Sequence, residues 1–544
     1  MKHINIRNKV AAAVLASTML LTACDKKVLD VGPYASIPFE SAFSTPAQVE
    51  LSMNGVYDAG QSGFYSGGAV RGYPFGAANI EQGDMRGEDM LNQALFYQIT
   101  YEATYNSGTL NNNFMFFTLY NMINKANLMV EGSRFAGTNT IITDAAAKQY
   151  EAEARFLRAM AHHELVINFA RPYADGNGAQ KGIIYRDFPI TDPASIEAAR
   201  SLTRETVAQN YTKILADLDF AETNLPATGA AGNAIANGFT GTYRATKAAA
   251  IALKMRVKMH MRDWAGVITE GNKLVPAAAP FVSPIGGWAL TSTPEGPFAN
   301  NLSTESIFSI RNNATDNPGV NGALAPMYGN PNLGGRGLVR VSPVIWSDAD
   351  WKCSDLRREN GKMVDVITNT SGAITAVFSK KYRDITNSSD AAPQIRYAEV
   401  LLTLAEAEAR QNGLTQRAVD LMNAVRNRSV LAGDERYTLA SFADAKALIT
   451  AILKERRIEF LAEGKRWGDI HRLALDADFA PIAGGGIPSK YGTGASVTGR
   501  MNCAGGVTLT RAVPAIPYSD FRFIWPIPLD ETQQNPNFEQ NPNY

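Results

Sequence analysis

Between positions 396 and 410 the polar residues Arg396, Glu399, Thr403, Glu406 and Arg410 recur at spacings of three, four, three and four. That is the period of an α-helix, and it draws one narrow polar stripe with Tyr397, Val400, Leu401 and Leu404 on the opposite side. A helix apolar over so much of its girth must be sandwiched between other helices. Asn412-Gly413 supplies a left-handed stop, and Thr415 is placed to cap a second helix over 416–428. Two antiparallel helices joined by so short a loop form an αα-hairpin.

Similar patterns fall into two blocks, about 113–275 and 392–477. The first contains helical patterns at 113–134, 144–169, 203–224 and 242–262. Asp144 reads as an N-cap, and Arg171-Pro172 stops that helix. The hairpins are tetratricopeptide-like, without the strict repeat consensus. Three excursions, about 60–109, 276–391 and 481–517, are rich in Gly, Pro, Asn, Ser and Thr, with strand-like pieces at Ser306–Ile310 and 376–382. The expected fold is mostly α: a helical-hairpin scaffold with long ordered loop insertions and a few short strands. Long loops on a rigid scaffold are where binding residues gather.

The first residues are a targeting segment. Lys2, Arg7 and Lys9 precede an apolar run from Val10 to Leu21, too short to span a bilayer, which ends in Leu21-Thr22-Ala23-Cys24. That ending resembles the lipobox of bacterial lipoproteins, in which the cysteine thiol takes a diacylglycerol before cleavage. Residues 1–23 are therefore read as a signal peptide, Cys24 as the lipidation site, 24–38 as a tether and 39–544 as one domain. Removing 1–23 takes three of 52 basic residues, leaving 49 against 52 acidic ones. The membrane is then held by acyl chains, not by a basic face, and no charge excess points to nucleic acid. Cys353 and Cys503 remain; whether they pair is open, and they form neither a CxxC redox pair nor a zinc spacing.

Catalytic signatures are sparse. His162-His163-Glu164 places consecutive helical residues about 100° apart, so they cannot converge on one ion as an i, i+4 pair does. No GxSxG elbow is present, and the runs at 60–63 and 334–337 lack the Lys-Ser/Thr of a phosphate loop. Glu81, Asp84, Glu88 and Asp89 read as acids of a polar loop, where solvation or calcium coordination is the common fate. Neither a cofactor nor a metal is expected, and no catalytic site is read from these residues. Sugar rings stack apolar faces on aromatic side chains and give their hydroxyls to Asn, Gln, Asp or Arg. Loop aromatics able to do this are Tyr73, Phe75, Phe96, Tyr97, Tyr101, Tyr105, Trp288, Tyr328, Trp346 and Trp351. Tyr73, Trp288 and Tyr328 rank first because small neighbours should leave their rings uncovered, with Asn79 and Asn330 as hydroxyl partners.

Three stretches resemble the SusD/RagB family. Arg396-Tyr397-Ala398-Glu399-Val400-Leu401-Leu402 with Ala405-Glu406-Ala407 is similar to its RYAEVLL…AEA helix. Glu455-Arg456-Arg457-Ile458-Glu459-Phe460, then Glu463-Gly464-Lys465-Arg466-Trp467 and Asp469, resembles its ERRxEL…EGxRWxDL motif, with Gly468 where an aromatic is usual. Trp525-Pro526-Ile527-Pro528 through Asn541-Pro542 resembles its terminus, read as an extended strap, and 151–171 is a weaker match. Glu455, Glu459 and Glu463 would repel unless basic residues lie opposite, so an interhelix ion-pair network with Arg396, Glu399 and Arg466 is expected, Arg456 and Arg472 being further cations. The resemblance implies a surface-exposed, lipid-anchored outer-membrane protein that captures oligosaccharide, or peptide as in the RagB branch. Its implied partner is a SusC-like TonB-dependent β-barrel transporter. A surface glycan-degrading enzyme and a protein-binding scaffold are the competing classes.

Overall fold

The computed structural model describes residues 37–227, 241–430 and 433–544. Cys24, the signal segment and most of the tether lie outside the described residues. Helices of nine residues or more are numbered here. They are α1 (Pro46–Gln61), α2 (Ala78–Arg86), α3 (Leu110–Thr138), α4 (Asp144–Phe169), α5 (Val207–Asn224), α6 (Lys247–His260) and α7 (Trp264–Leu274), then α8 (Tyr397–Asn412), α9 (Gln416–Arg426), α10 (Ala445–Glu459) and α11 (Lys465–Leu473). The fold is mostly α, as the sequence implies.

The scaffold is a succession of packed helical neighbours. α1 packs on α3, α3 on α4, α4 on α5, α5 on α6, α6 on α7, and α7 directly on α8, which then packs on α9 and α10. The two sequence blocks are thus one continuous stack, and the region between α7 and α8 is an insertion. Side-chain caps fix several starts: Thr45, Thr206, Thr246 and Thr415 each accept a backbone N–H of the first turn. Thr143, not Asp144, caps α4; Asp144 is the first helical residue and pairs with Lys148 at 2.8 Å. Gly413 closes α8 at φ +81°, where a β-carbon would be strained.

Strands are short and paired. β1 (Met90–Asn92) runs antiparallel to β3 (Val339–Val341), and β2 (Ser306–Ile310) to β6 (Ala392–Arg396). β4 (Val364–Thr368) and β5 (Ile374–Ser379) form a hairpin, and β7 (Gly486–Ile487) meets β8 (Ile516–Pro517). The β2–β6 pairing joins an early strand of the insertion to its last residues beside α8. Cys353 and Cys503 form a disulfide across 150 residues, tying the insertion to the 481–517 excursion. Closing so long a loop contributes up to about 5 kcal/mol in the chain-entropy model.

A buried ion-pair lattice fastens the insertion to the stack. Glu455 and Glu459 lie on α10, whereas Glu463 lies past its end in the turn before α11. Arg396 pairs with Glu459 at 3.1 Å and Glu463 at 2.8 Å, and also with Glu305. The remaining cations are not those of the α10–α11 motif. Arg357 meets Glu455 at 2.6 Å and Glu459 at 3.1 Å, Lys381 meets Glu463 at 2.7 Å, Arg426 meets Glu455 at 3.0 Å and Arg428 meets Glu459 at 2.7 Å. Glu399 takes Arg256 at 2.6 Å and Lys465 at 3.3 Å, Arg456 and Arg472 share Asp469, and Arg466 turns to Glu88 at 2.7 Å. Burial alone would raise Glu459; Arg428, Arg396 and Arg357 overcome it and hold its carboxyl down at about 2.

Candidate functional site

Helix α2 organises the loops. Every residue of it except Asn79 is buried, although Glu81, Gln82, Asp84 and Arg86 are polar. Each polar side chain pins a different segment. Tyr97 donates its hydroxyl to Glu81, and Tyr328 donates to Asp84 at 2.6 Å. Gln82 donates to the Tyr73 hydroxyl at 3.0 Å and accepts from Thr100 at 2.7 Å. Asp84 also accepts the Gly464 N–H at 3.0 Å, while Arg86 donates to Asn168 at 3.0 Å and to the Phe523 carbonyl at 2.6 Å. Arg86 lies 3.2 Å above the Trp467 ring. Without a carboxylate-neutralising cation in contact, burial pushes Glu81 up to about 8 and Asp84 up to about 7.

The helix approaches α11 so closely that a β-carbon on Gly83 would stand 2.3 Å from the Gly464 carbonyl oxygen. Beside this contact, α4, α6 and α11 leave a polar cavity of about 60 Å³ lined by Asn79, His163, His260, Lys465 and Gly468. His163 and His260 meet edge to face at 4.9 Å, and burial drives both imidazoles below their ordinary range. His162 is used differently, stacked 3.8 Å on Tyr185 and bonded to the Arg158 carbonyl at 3.0 Å. Among the described residues no group of three His, Cys, Asp or Glu side chains is arranged to hold a metal ion.

The expectation of uncovered rings at Tyr73, Trp288 and Tyr328 is corrected by burial: they are 2%, 0% and 0% exposed. Tyr73 and Tyr328 serve α2, and Trp288 fills the core of its own loop. Asn330 is buried and accepts the Asn332 N–H at 3.0 Å, capping a turn. Asn79 donates to Gln394 at 3.0 Å. Tyr101 and Trp351 are likewise core residues, and Glu81, Asp84, Glu88 and Asp89 are buried acids, not members of a solvated loop. Small neighbours in sequence do not keep a ring uncovered, because the covering atoms come from distant segments.

Above the α2 hub a different set reaches the surface. The Arg71 guanidinium lies 4.8 Å from the centroids of both Tyr65 and Phe96, and Arg336 lies 5.3 Å from Phe96. Tyr65 stacks on buried Tyr73 at 5.7 Å and donates to Asn111 at 3.3 Å, so its ring is held in place from beneath. Arg336 is exposed and bonds Asn321. Among the described residues neither Arg71 nor Arg336 forms a salt bridge, although the Arg336 charge acts on buried Glu81. Phe64 and Val70, the chain neighbours of Tyr65 and Arg71, are exposed large hydrophobic residues. Flat rings beside unneutralised planar donors can stack a sugar face and bind its hydroxyls at the same time. Of these residues the sequence singled out Phe96 alone. The two arginines carried a signal only in their setting, each in a glycine-rich loop without an acid at helical spacing.

Comparison with known proteins agrees with this architecture. A family model described as "SusD family" matches residues 356–544, and one described as "Starch-binding associating with outer membrane" matches residues 28–259. SusD-like protein P2 of Formosa agariphila is 24% identical over 498 residues, covering 84% of this chain and 89% of its own. A SusD superfamily crystal structure from Bacteroides fragilis superposes with a TM-score of 0.71 at 25% identity, covering 91% of this chain and 99% of that one. The surface glycan-binding protein A of Bacteroides uniformis gives a TM-score of 0.66 at 19% identity, with 91% and 99% coverage, a likeness of fold. Two family models in succession, the expected motifs and the shared helical stack lead to one conclusion: this chain belongs to the SusD/RagB family.

Proposed function

We propose that this chain captures oligosaccharide on the surface formed by Tyr65, Arg71, Phe96 and Arg336, and delivers it to a SusC-like TonB-dependent β-barrel transporter. The observation that carries the reading is the pair of guanidinium groups, neither in a salt bridge, that lie over the partly exposed rings of Tyr65 and Phe96. Hydroxyl-rich, uncharged cargo satisfies those donors and stacks on those rings, each stack contributing on the order of 1 kcal/mol. The rigid α2 hub lowers the ordering cost of binding. Capture of this kind needs no bond to be made or broken. Cys24, outside the described residues, is the proposed acyl anchor that keeps the domain at the outer membrane, facing outward.

A peptide ligand is the second reading, favoured by the same guanidinium groups, since guanidinium pairs bidentately with carboxylates. A binding screen of the mature protein against immobilised glycans and peptides decides between them. Capture of glycans that Arg71→Ala/Arg336→Ala abolishes supports the first reading; capture of peptides alone replaces it with the second. A detergent pull-down from native membranes tests the partner, and recovery without any β-barrel protein would remove the transporter from the account.

A further inference from the structure

A second pocket, of about 360 Å³, lies along α1 and shares no lining residue with the aromatic cluster or with α2. One face of α1 supplies Asn54, Tyr57, Asp58 and Gln61, the i, i+3, i+4, i+7 positions of a helix. Tyr243, Arg244, Ile310, Arg311 and Asp316 complete the lining.

The floor is rigid. Arg244 is buried and paired with Glu50 at 2.6 Å and with Glu153. Tyr57 donates to Glu153 at 2.8 Å and accepts the Ala245 N–H at 2.9 Å. Gln61 donates to the carbonyls of Arg311 at 2.7 Å and Asp316 at 3.2 Å, which fixes the turn opposite α1. The rim is different: among the described residues the side chains of Asn54, Asp58 and Asp316 and the Tyr243 hydroxyl make no hydrogen bond or ion pair within the protein. An apolar floor at Ile310, tyrosine rings and unengaged acceptors converging on one concavity describe a ligand site rather than a packing defect. Its volume is at the small end of the range for small-molecule pockets, about 300–1,000 Å³, and suits one or two pyranose rings.

We propose that this pocket is a second saccharide site, in which Tyr57 and Tyr243 present ring surface to a neutral sugar while Asn54, Asp58 and Asp316 take its hydroxyls. The inference rests on the reading of the chain as a glycan-capturing protein, and it adds a contact outside the Phe96 platform.

The test uses the full mature protein and short malto-, cello-, xylo- and manno-oligosaccharides, read by saturation-transfer NMR and by titration calorimetry. Native protein, Asn54→Ala/Asp58→Ala, Tyr243→Ala and Phe96→Ala are compared, with thermal melting as the control for folding. The proposal expects a sugar signal that survives Phe96→Ala and falls about fivefold or more in affinity in both pocket variants. Binding lost in Phe96→Ala and untouched in the pocket variants would overturn the second site while leaving the proposed function intact. No binding of any of these sugars by native protein would overturn both. Should the double variant melt early, Asp58→Asn, which keeps the side chain's size, serves in its place.

Discussion

Arg396 shows what single residues contribute in this molecule. Its guanidinium joins Glu305, Glu459 and Glu463 where all four side chains are buried, so three carboxylates rely on it. Removing one partner of a buried pair strands the others, at a cost of about 3–5 kcal/mol. Arg396→Met is therefore expected to lower the unfolding free energy by that amount in urea titrations, and Arg396→Met/Glu463→Gln to lose less than the sum of the single variants. Titration has two opposite signs here. Glu459 and Asp469 are held at about 2 in the folded state, so their stabilisation is present above the ordinary carboxylate range and is lost as pH falls towards 2. Glu81, raised to about 8, stabilises below its ordinary value of 4.5, and that contribution is lost as pH rises through 8. Urea midpoints measured from pH 5 to about 8 should fall less steeply in Glu81→Gln than in native protein; parallel curves would mean Glu81 does not titrate in this window.

Elements differ in how openly their sequences declare them. The α8–α9 hairpin is legible because its polar stripe has helical period and its stop and cap are Asn412-Gly413 and Thr415. Helix α2 is not. Its Glu81, Gln82, Asp84 and Arg86 read as loop residues, since nothing local announces that Tyr97, Thr100, Tyr328 and Asn168 will arrive to satisfy them. The ion-pair lattice was half visible: α10 displayed its glutamates, but Arg357 and Lys381 come from the insertion, about 80 to 100 residues away in sequence. The α2–α11 contact also has a structural requirement. Gly83→Ala places a methyl group against the Gly464 carbonyl, and overpacking of this kind costs about 1–3 kcal/mol. The expected outcome is a lower melting temperature together with weakened glycan capture, because the loops that α2 pins move with it.

At the scale of the whole molecule, a continuous helical stack carries an insertion and two loop excursions, locked by buried charges and a disulfide. On the proposed reading, rigidity of the frame lets a few surface side chains hold cargo without first being ordered. The family was legible in three motifs, whereas the proposed binding surface was not: of the cluster only Phe96 could be named from sequence, and Tyr65, Arg71 and Arg336 meet it through folding alone. The most direct test of the account is calorimetric titration of the mature protein, native and Phe96→Ala, with the oligosaccharide bound best in the screen. The account predicts affinity weakened about tenfold in the variant with an unchanged melting temperature; equal affinity in the two proteins would contradict it.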